Sequence, residues 1–189
     1  MKKICVFASG NGSNAENIIR YFQGRNDIAV SLIVTNNPQA GVITRARNLG
    51  VPVLICGKEE MQAPEGLSVR LQQEGIDLIV LAGFMRLIPS ALLNAFAGRL
   101  VNIHPALLPK FGGKGMYGMH VHEAVIRAGE KESGITIHHV NEEYDKGEVL
   151  LRKSCSVLPG DTPEALSARI QELEHLHYPP VIESLLRAG

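Results

Sequence analysis

Asn102 and His104 are the residues best suited by type and spacing to chemistry at a carbonyl group. An apolar run, Leu100 to Ile103, predicts a strand that ends before Pro105. Side chains two residues apart in a strand share a face, so the amide and the imidazole project together at the strand's carboxyl end, where open α/β sheets bind ligands. An amide can donate to a developing oxyanion, and an imidazolium can supply a proton. Taken alone, a turn-capping asparagine and an ordinary half-buried histidine explain the pair equally well.

A glycine-rich loop near the amino terminus, Ser9 to Asn14, is a second candidate site. It lies between an apolar strand and a helical pattern, so main-chain N–H groups and a helix amino terminus converge on one point, which suits a phosphate. The loop also matches G-x-G-x-x-A, a dinucleotide fingerprint that needs an acid at the end of the second strand. That strand, Ile28 to Thr35, is followed by Asn36, so no acid stands at its end. A phosphate monoester is therefore favoured over a dinucleotide, and a plain tight turn remains open.

The elements that must position these residues alternate between strands and helices. Apolar runs predict strands at 4–8, 28–35, 51–55, 77–84 and 100–103, with helices near 42–48, 66–73 and 91–96. This alternation predicts an α/β protein with a parallel sheet and right-handed crossovers. Further strands are expected at 134–140 and 148–157. A long helix starts at Pro163, with Asp161 or Thr162 as N-cap, and Pro179-Pro180 should break or kink it before a short closing helix.

Two downstream features could complete a site, and a third is interpreted as structural. Asp145 lies in an Asp-x-Gly turn, which exposes a carboxylate at a strand edge, although simply forming the turn explains it as well. The stretch from Phe111 to Gly118 contains four glycines and predicts either a mobile rim or a solvated loop without function. His138 and His139 face opposite sides of a strand, and we interpret both as packing or surface residues.

Length and composition limit the functional classes. The chain has 189 residues, 45% of them hydrophobic and 20% charged, which fits one globular domain over residues 1–189. Basic and acidic residues balance at 19 each, so nucleic acid is not an expected partner. No apolar run approaches the ~18 to 20 residues of a membrane span. The three cysteines are far apart in apolar runs, which indicates reduced thiols, no zinc site and a soluble cytoplasmic protein.

Taken together, the motifs Asn102-Ile-His104-Pro, Leu107-Leu-Pro109-Lys and Asp145-x-Gly147 resemble the folate-dependent formyltransferases. The Ser9 to Asn14 loop narrows the resemblance to members that act on glycinamide ribonucleotide. Over nearly the whole chain, this implies a Rossmann-like formyltransferase fold: a doubly wound, mostly parallel sheet with helices on both faces. The implied reaction transfers the formyl group of 10-formyltetrahydrofolate to the amine of 5′-phosphoribosylglycinamide in de novo purine biosynthesis, without a metal, in a monomer or homodimer. The alternatives are a 10-formyltetrahydrofolate hydrolase and a non-catalytic nucleotide-binding module.

The resemblance also assigns roles by position. The catalytic residues are Asn102, His104 and Asp145. The ribonucleotide-binding residues are Gly12, Ser13, Asn14, Gln171 and Glu174. The folate-binding residues are Met85, Arg86, Leu87, Ile88, Asn102, Asn141, Glu142, Glu143, Tyr144 and Asp145.

In the implied mechanism, Asn102 stabilises the oxyanion of the tetrahedral adduct. Asp145 raises the pKa of His104, so that the imidazole is cationic when the adduct forms. Two departures from the family pattern are expected. The family usually has a shorter stretch between Phe111 and His120, and residues 57–60 give no match to its arginine near the folate tail.

Overall fold

A computed structural model describes residues 1–63 and 66–188. The strands within these ranges are β1 Lys2–Phe7, β2 Ile28–Thr35, β3 Val53–Ile55, β4 Leu78–Leu81, β5 Leu100–His104, β6 Glu132–His139 and β7 Val149–Ser156. The helices are α1 Ser13–Phe22, α2 Gly41–Asn48, α3 Lys58–Gln62, α4 Leu67–Gln73, α5 Ser90–Ala95, α6 Met119–Arg127 and α7 Pro163–Ala188.

The strands form one sheet in the order β3-β2-β1-β4-β5-β6-β7. Strands β1 to β5 pair in parallel, whereas β6 runs antiparallel to β5 and β7 antiparallel to β6. The mostly parallel α/β fold predicted from the sequence is therefore confirmed. The chain order reverses between β1 and β4, and such a switch point opens a crevice at the carboxyl ends of the strands.

Helices cover both faces of the sheet because the central strands are apolar on both sides. On β1, Ile4 and Val6 pack in one buried cluster, and Cys5 and Phe7 pack in the other. The first cluster includes residues of α1, α2 and α7, and the second includes residues of α4 and α5. No helix among the described residues combines the length and apolarity needed to cross a membrane.

Helix α7 runs without interruption through Pro179 and Pro180, so the predicted break is wrong. A proline in a helix leaves the carbonyl four residues earlier without its usual donor. Here the orphaned carbonyl of His175 accepts a hydrogen bond from Asn17 Nδ2 at 2.9 Å. Tyr178, the residue before Pro179, is fully buried, and its hydroxyl contacts the carbonyl oxygens of Leu81 at 2.9 Å and Val101 at 3.2 Å. These contacts fix the helix against β4 and β5.

Most element boundaries fall within a few residues of their predicted positions. Strand β4 ends at Leu81 rather than at Phe84, because the chain turns through Gly83 with a φ of 73°. Short helix α3 was not predicted. Thr162, rather than Asp161, caps α7, since its hydroxyl accepts the Ala165 amide at 3.2 Å.

Candidate active site

A cavity of about 420 Å³ opens at the carboxyl ends of β4 and β5. Its walls come from three parts of the chain: the segment after β4, the end of β5, and the turn between β6 and β7. The glycine-rich stretch contributes residues 113–118 as a fourth wall. That stretch is therefore part of the cavity rim, not a loop remote from the site.

Asn102 and His138 form a hydrogen-bonded pair on one wall. Asn102 Nδ2 lies 3.2 Å from His138 Nε2, and His138 Nδ1 lies 2.8 Å from the carbonyl oxygen of His139. Since that carbonyl can only accept, Nδ1 carries a proton, and Nε2 lies within hydrogen-bond distance of the Asn102 amide. His138 thereby fixes the orientation of the Asn102 amide and leaves its second N–H for a ligand. His138 is buried, as expected for a packing residue, but it also lines the cavity.

His104 is buried at the end of β5, with its two ring nitrogens in different surroundings. Nε2 lies 2.7 Å from the carbonyl oxygen of Phe111, and Nδ1 lies 3.6 Å from Asp145 Oδ2. Burial lowers the pKa of His104, and this outweighs the raising effect of Asp145 and of the Phe111 carbonyl. The expected raising effect of Asp145 is present, but burial makes the net shift of the His104 pKa downward. Neutral His104 keeps its proton on Nε2 and presents an unprotonated Nδ1 towards Asp145.

Asp145 is held in place from three sides. The Gly113 amide donates to its Oδ2 at 2.8 Å, and His138 Nε2 lies 3.6 Å from Oδ1. Burial acts to raise the pKa of Asp145, but His138, His104 and the Gly113 amide outweigh it and lower the pKa. Asp145 is therefore an anion at neutral pH. Its backbone is in the left-handed region, with a φ of 57°.

Gly147 explains why the turn that carries Asp145 has the sequence Asp-x-Gly. A Cβ at Gly147 would lie 1.6 Å from the carbonyl oxygen of His139. The absence of a side chain therefore lets the turn pack directly against the end of β6. The same contact keeps Asp145 beside the two buried histidines.

The residues expected to bind folate are brought together almost completely. Those that line the cavity are Met85, Arg86, Leu87, Ile88, Asn102, Asn141, Glu143, Tyr144 and Asp145. Glu142 is not among the lining residues. A second groove of about 260 Å³ adjoins the cavity through Met85, Arg86, Leu87 and Tyr144, and Lys58 of α3 lies on its far side.

The residues expected to bind the ribonucleotide form a separate cluster at the start of α1. Gln171 Nε2 donates to Ser13 Oγ at 2.7 Å, and Asn14 Nδ2 donates to Glu174 Oε2 at 2.8 Å. Burial raises the pKa of Glu174 to about 7 against the lowering effect of Asn14. These contacts join α7 to the glycine-rich loop.

Gly12 is the N-cap of α1 and has a φ of 81°. No side chain caps this helix end, so its first N–H groups can bind an anion. A Cβ at Gly12 would lie 2.5 Å from that of Val42. Both the backbone angle and the close packing therefore require glycine.

Sequence reasoning missed His138 because alternation in a strand shows which residues share a face, but not which face meets a cavity. Its register partner across β5 and β6 is Asn102, and that pairing was the signal available once the strands were aligned. Within residues 1–63 and 66–188, no group of three His, Cys, Asp or Glu side chains could hold a metal ion.

Comparison with known proteins identifies the family of enzymes to which this fold belongs. The formyl transferase family matches residues 2–182, so the chain belongs to that family. The chain is 44% identical over 97% of its length to a chloroplastic phosphoribosylglycinamide formyltransferase of Arabidopsis thaliana. It is 40% identical over 98% of its length to phosphoribosylglycinamide formyltransferase of Bacillus subtilis.

Coverage of these relatives differs. The chain spans 65% of the Arabidopsis protein and 95% of the B. subtilis protein. Among solved structures, glycinamide ribonucleotide transformylase 1 from Symbiobacterium toebii superposes with a TM-score of 0.89 at 35% identity. That match covers 100% of this chain and 89% of the other. The Rossmann-like formyltransferase fold is thus confirmed.

Proposed function

We propose that this protein transfers the formyl group of 10-formyltetrahydrofolate to the amine of 5′-phosphoribosylglycinamide, a step of de novo purine biosynthesis. The observation that carries the proposal is the convergence of Asn102, His104 and Asp145 on one wall of a mostly apolar cavity beside an anion-binding loop. The names of the similar proteins support the same substrate pair.

The distance between the two clusters suits a ribonucleotide. The glycine-rich loop follows β1, and the catalytic pair ends β5, two strands away in the sheet. At ~4.8 Å between neighbouring strands, the two sites lie roughly 10 Å apart. A phosphate held at Gly12, Ser13 and Asn14 would therefore allow the glycinamide amine to extend to the cavity. Gln171 and Glu174 contact Ser13 and Asn14 at the phosphate end of this path.

The geometry supports a defined path for the proton. The neutral amine attacks the formyl carbon, and the free N–H of Asn102 donates to the resulting oxyanion. The ammonium of the adduct then loses its proton to the unprotonated Nδ1 of His104, directly or through water. The imidazolium formed is stabilised by Asp145 at 3.6 Å. As the bond from carbon to N10 breaks, this proton passes to N10, which leaves the formylated amide and tetrahydrofolate.

The folate would occupy the cavity with its pterin ring between the segment after β4 and the turn that carries Asp145. Arg86 and Lys58 both line the adjoining groove. Two cations beside an apolar groove suit the carboxylates of the folate's glutamate tail. Glu142 does not line the cavity, and we leave it out of the folate site.

The co-substrates in this proposal are both small molecules, and the chemistry needs no metal because each proton transfer has a named side chain. Nucleic acid and membranes are not partners in the proposal, given the zero net charge. The three cysteines are free thiols, which supports a reducing compartment such as the cytoplasm. Either a monomer or a homodimer is compatible, since the residues named above come from one chain.

The test is an absorbance assay of tetrahydrofolate release from 10-formyltetrahydrofolate with different acceptors. We expect turnover with 5′-phosphoribosylglycinamide and almost none with water or with glycinamide that lacks the phosphoribosyl group. Equal turnover with and without an amine acceptor would contradict the transferase and favour the hydrolase. Binding of the ribonucleotide without any turnover would favour a non-catalytic module.

A further inference from the structure

Ser9 connects the two halves of the site through a set of buried hydrogen bonds. It is the first residue of the glycine-rich loop and is 6% exposed. Its amide donates to the Gly83 carbonyl at 3.1 Å, and its carbonyl accepts from Asn37 Nδ2 at 3.4 Å. Its hydroxyl donates to Asn36 Oδ1 and accepts from the Met85 amide at 3.0 Å. Each polar group of Ser9 is therefore bonded to the end of β2 or of β4.

The contact with Met85 reaches the cavity although Ser9 itself does not line it. Met85 lines both the cavity and the adjoining groove. The segment after β4 has no regular secondary structure at this point, so a side-chain acceptor is needed to satisfy and orient the Met85 amide. The Ser9 hydroxyl supplies that acceptor.

Asn36 gives the hydroxyl its direction. It stands at the end of β2, where a dinucleotide-binding protein would have a ribose-binding acid. Here its Oδ1 instead accepts the Ser9 hydroxyl proton. With that proton engaged, the oxygen lone pairs of Ser9 are directed to the Met85 amide. Asn36 thus orients the Ser9 hydroxyl, and this role needs no contact with a ligand.

We propose that Ser9, oriented by Asn36, is a positioning residue that couples the ribonucleotide loop to the folate-binding wall. The proposal rests on the proposed function for the identity of the two ligands. It differs from a phosphate-binding role, because loss of the Ser9 hydroxyl must weaken folate binding even when no ribonucleotide is present.

The test measures tetrahydrofolate affinity by isothermal titration calorimetry in the absence of ribonucleotide. Losing one buried hydrogen bond costs about three- to tenfold in affinity, so Ser9→Ala should raise the Kd by that factor. Ser31→Ala is the matched control. Ser31 lies in β2, outside the loop, and its hydroxyl donates to the Ile4 carbonyl at 3.3 Å. We expect its Kd to stay within about twofold of the wild type.

A second pair of variants keeps the test decisive if Ser9→Ala does not fold. Asn36→Leu removes the acceptor and should raise the Kd for tetrahydrofolate, as Ser9→Ala does. Asn36→Asp retains an acceptor and should keep the Kd near the wild-type value. Equal affinities for Ser9→Ala and Ser31→Ala, or for the two Asn36 variants, would overturn the coupling role. A wild-type protein that neither binds tetrahydrofolate nor forms the formylated product would overturn the proposed function instead.

Discussion

The cavity wall and the glycine-rich loop are built in opposite ways, although both lie at the same edge of the sheet. The wall joins Asn102, His104, His138 and Asp145, which come from two strands and a turn. Three of these four are titratable: His104 and His138 are buried, and Asp145 is partly buried. The loop is continuous in sequence, and under the proposed function it binds phosphate through main-chain N–H groups at the uncapped start of α1.

This difference separates reactivity from recognition. Buried titratable groups that shift each other's pKa can move protons during a reaction. Main-chain amides hold a phosphate without changing charge. Side chains in the wall should therefore control kcat, and the backbone shape of the loop should control ribonucleotide KM. The predictions below test this division, from the largest effect to the smallest.

Replacing His104 with alanine should affect catalysis alone. We expect His104→Ala to lower kcat by about 100- to 10,000-fold, since proton transfer to and from Nδ1 is lost. Ribonucleotide KM should stay within about twofold, because His104 does not contact the loop cluster. Steady-state kinetics measure both constants. His177→Ala, on α7 outside the cavity, is the control, and near-normal kcat in His104→Ala would remove His104 from the mechanism.

Adding a methyl group to the loop should produce the opposite pattern. In Gly12→Ala, the new Cβ would collide with Val42, and the left-handed φ would be strained. We expect ribonucleotide KM to rise by about 10- to 100-fold as the N–H groups move, with tetrahydrofolate affinity nearly unchanged. A Cβ at Gly10 meets nothing within 4 Å, so Gly10→Ala should have a much smaller effect. Equal KM values for the two variants would contradict the role of the loop shape.

Glu174 is the titratable member of the loop cluster, and its effect should appear in stability. Its pKa is raised from 4.5 to about 7, so the folded state retains a proton that the unfolded state loses. The stability gained by retaining it is lost as pH rises between these two values. Relative to Glu174→Gln, the wild type should lose about 2 to 3 kcal/mol of unfolding free energy between pH 5 and 8.

Urea unfolding at several pH values measures this difference. Glu172→Gln, exposed on the same helix, is the matched control and should show no such trend with pH. A constant difference between wild type and Glu174→Gln across the range would show that Glu174 does not retain its proton on folding.

The smallest effect concerns the charge that Asp145 contributes to the wall. Burial lowers the pKa of His104, while the Asp145 carboxylate opposes this effect. Asp145→Asn removes the opposing charge, so the pKa of His104 should fall further. An NMR titration of the ring proton, assigned with His104→Ala, measures it. A rise of this pKa in Asp145→Asn would contradict the electrostatic role of Asp145.

Local patterns were sufficient for features that depend on neighbours in sequence. The strand, glycine loop and helix around Gly12 could be predicted because each follows from residue types within about ten positions. The same holds for the turn at Asp145 and for Asn102 and His104 on one strand. Prediction failed where a distant partner decides the outcome, as with Pro179, whose missing hydrogen bond is replaced by Asn17.

The sequence by itself determined the α/β fold, the glycine-rich loop at the start of α1 and the three side chains that resemble a formyl-transfer site. Only the tertiary structure decided that His138 orients Asn102, that Glu142 lies outside the cavity and that Ser9 joins β2 to β4. It also decided that burial outweighs the effect of Asp145 and lowers the pKa of His104. Periodicity records which groups share a face, but the pKa of a group depends on how completely the folded chain removes it from water and on which charges it brings near.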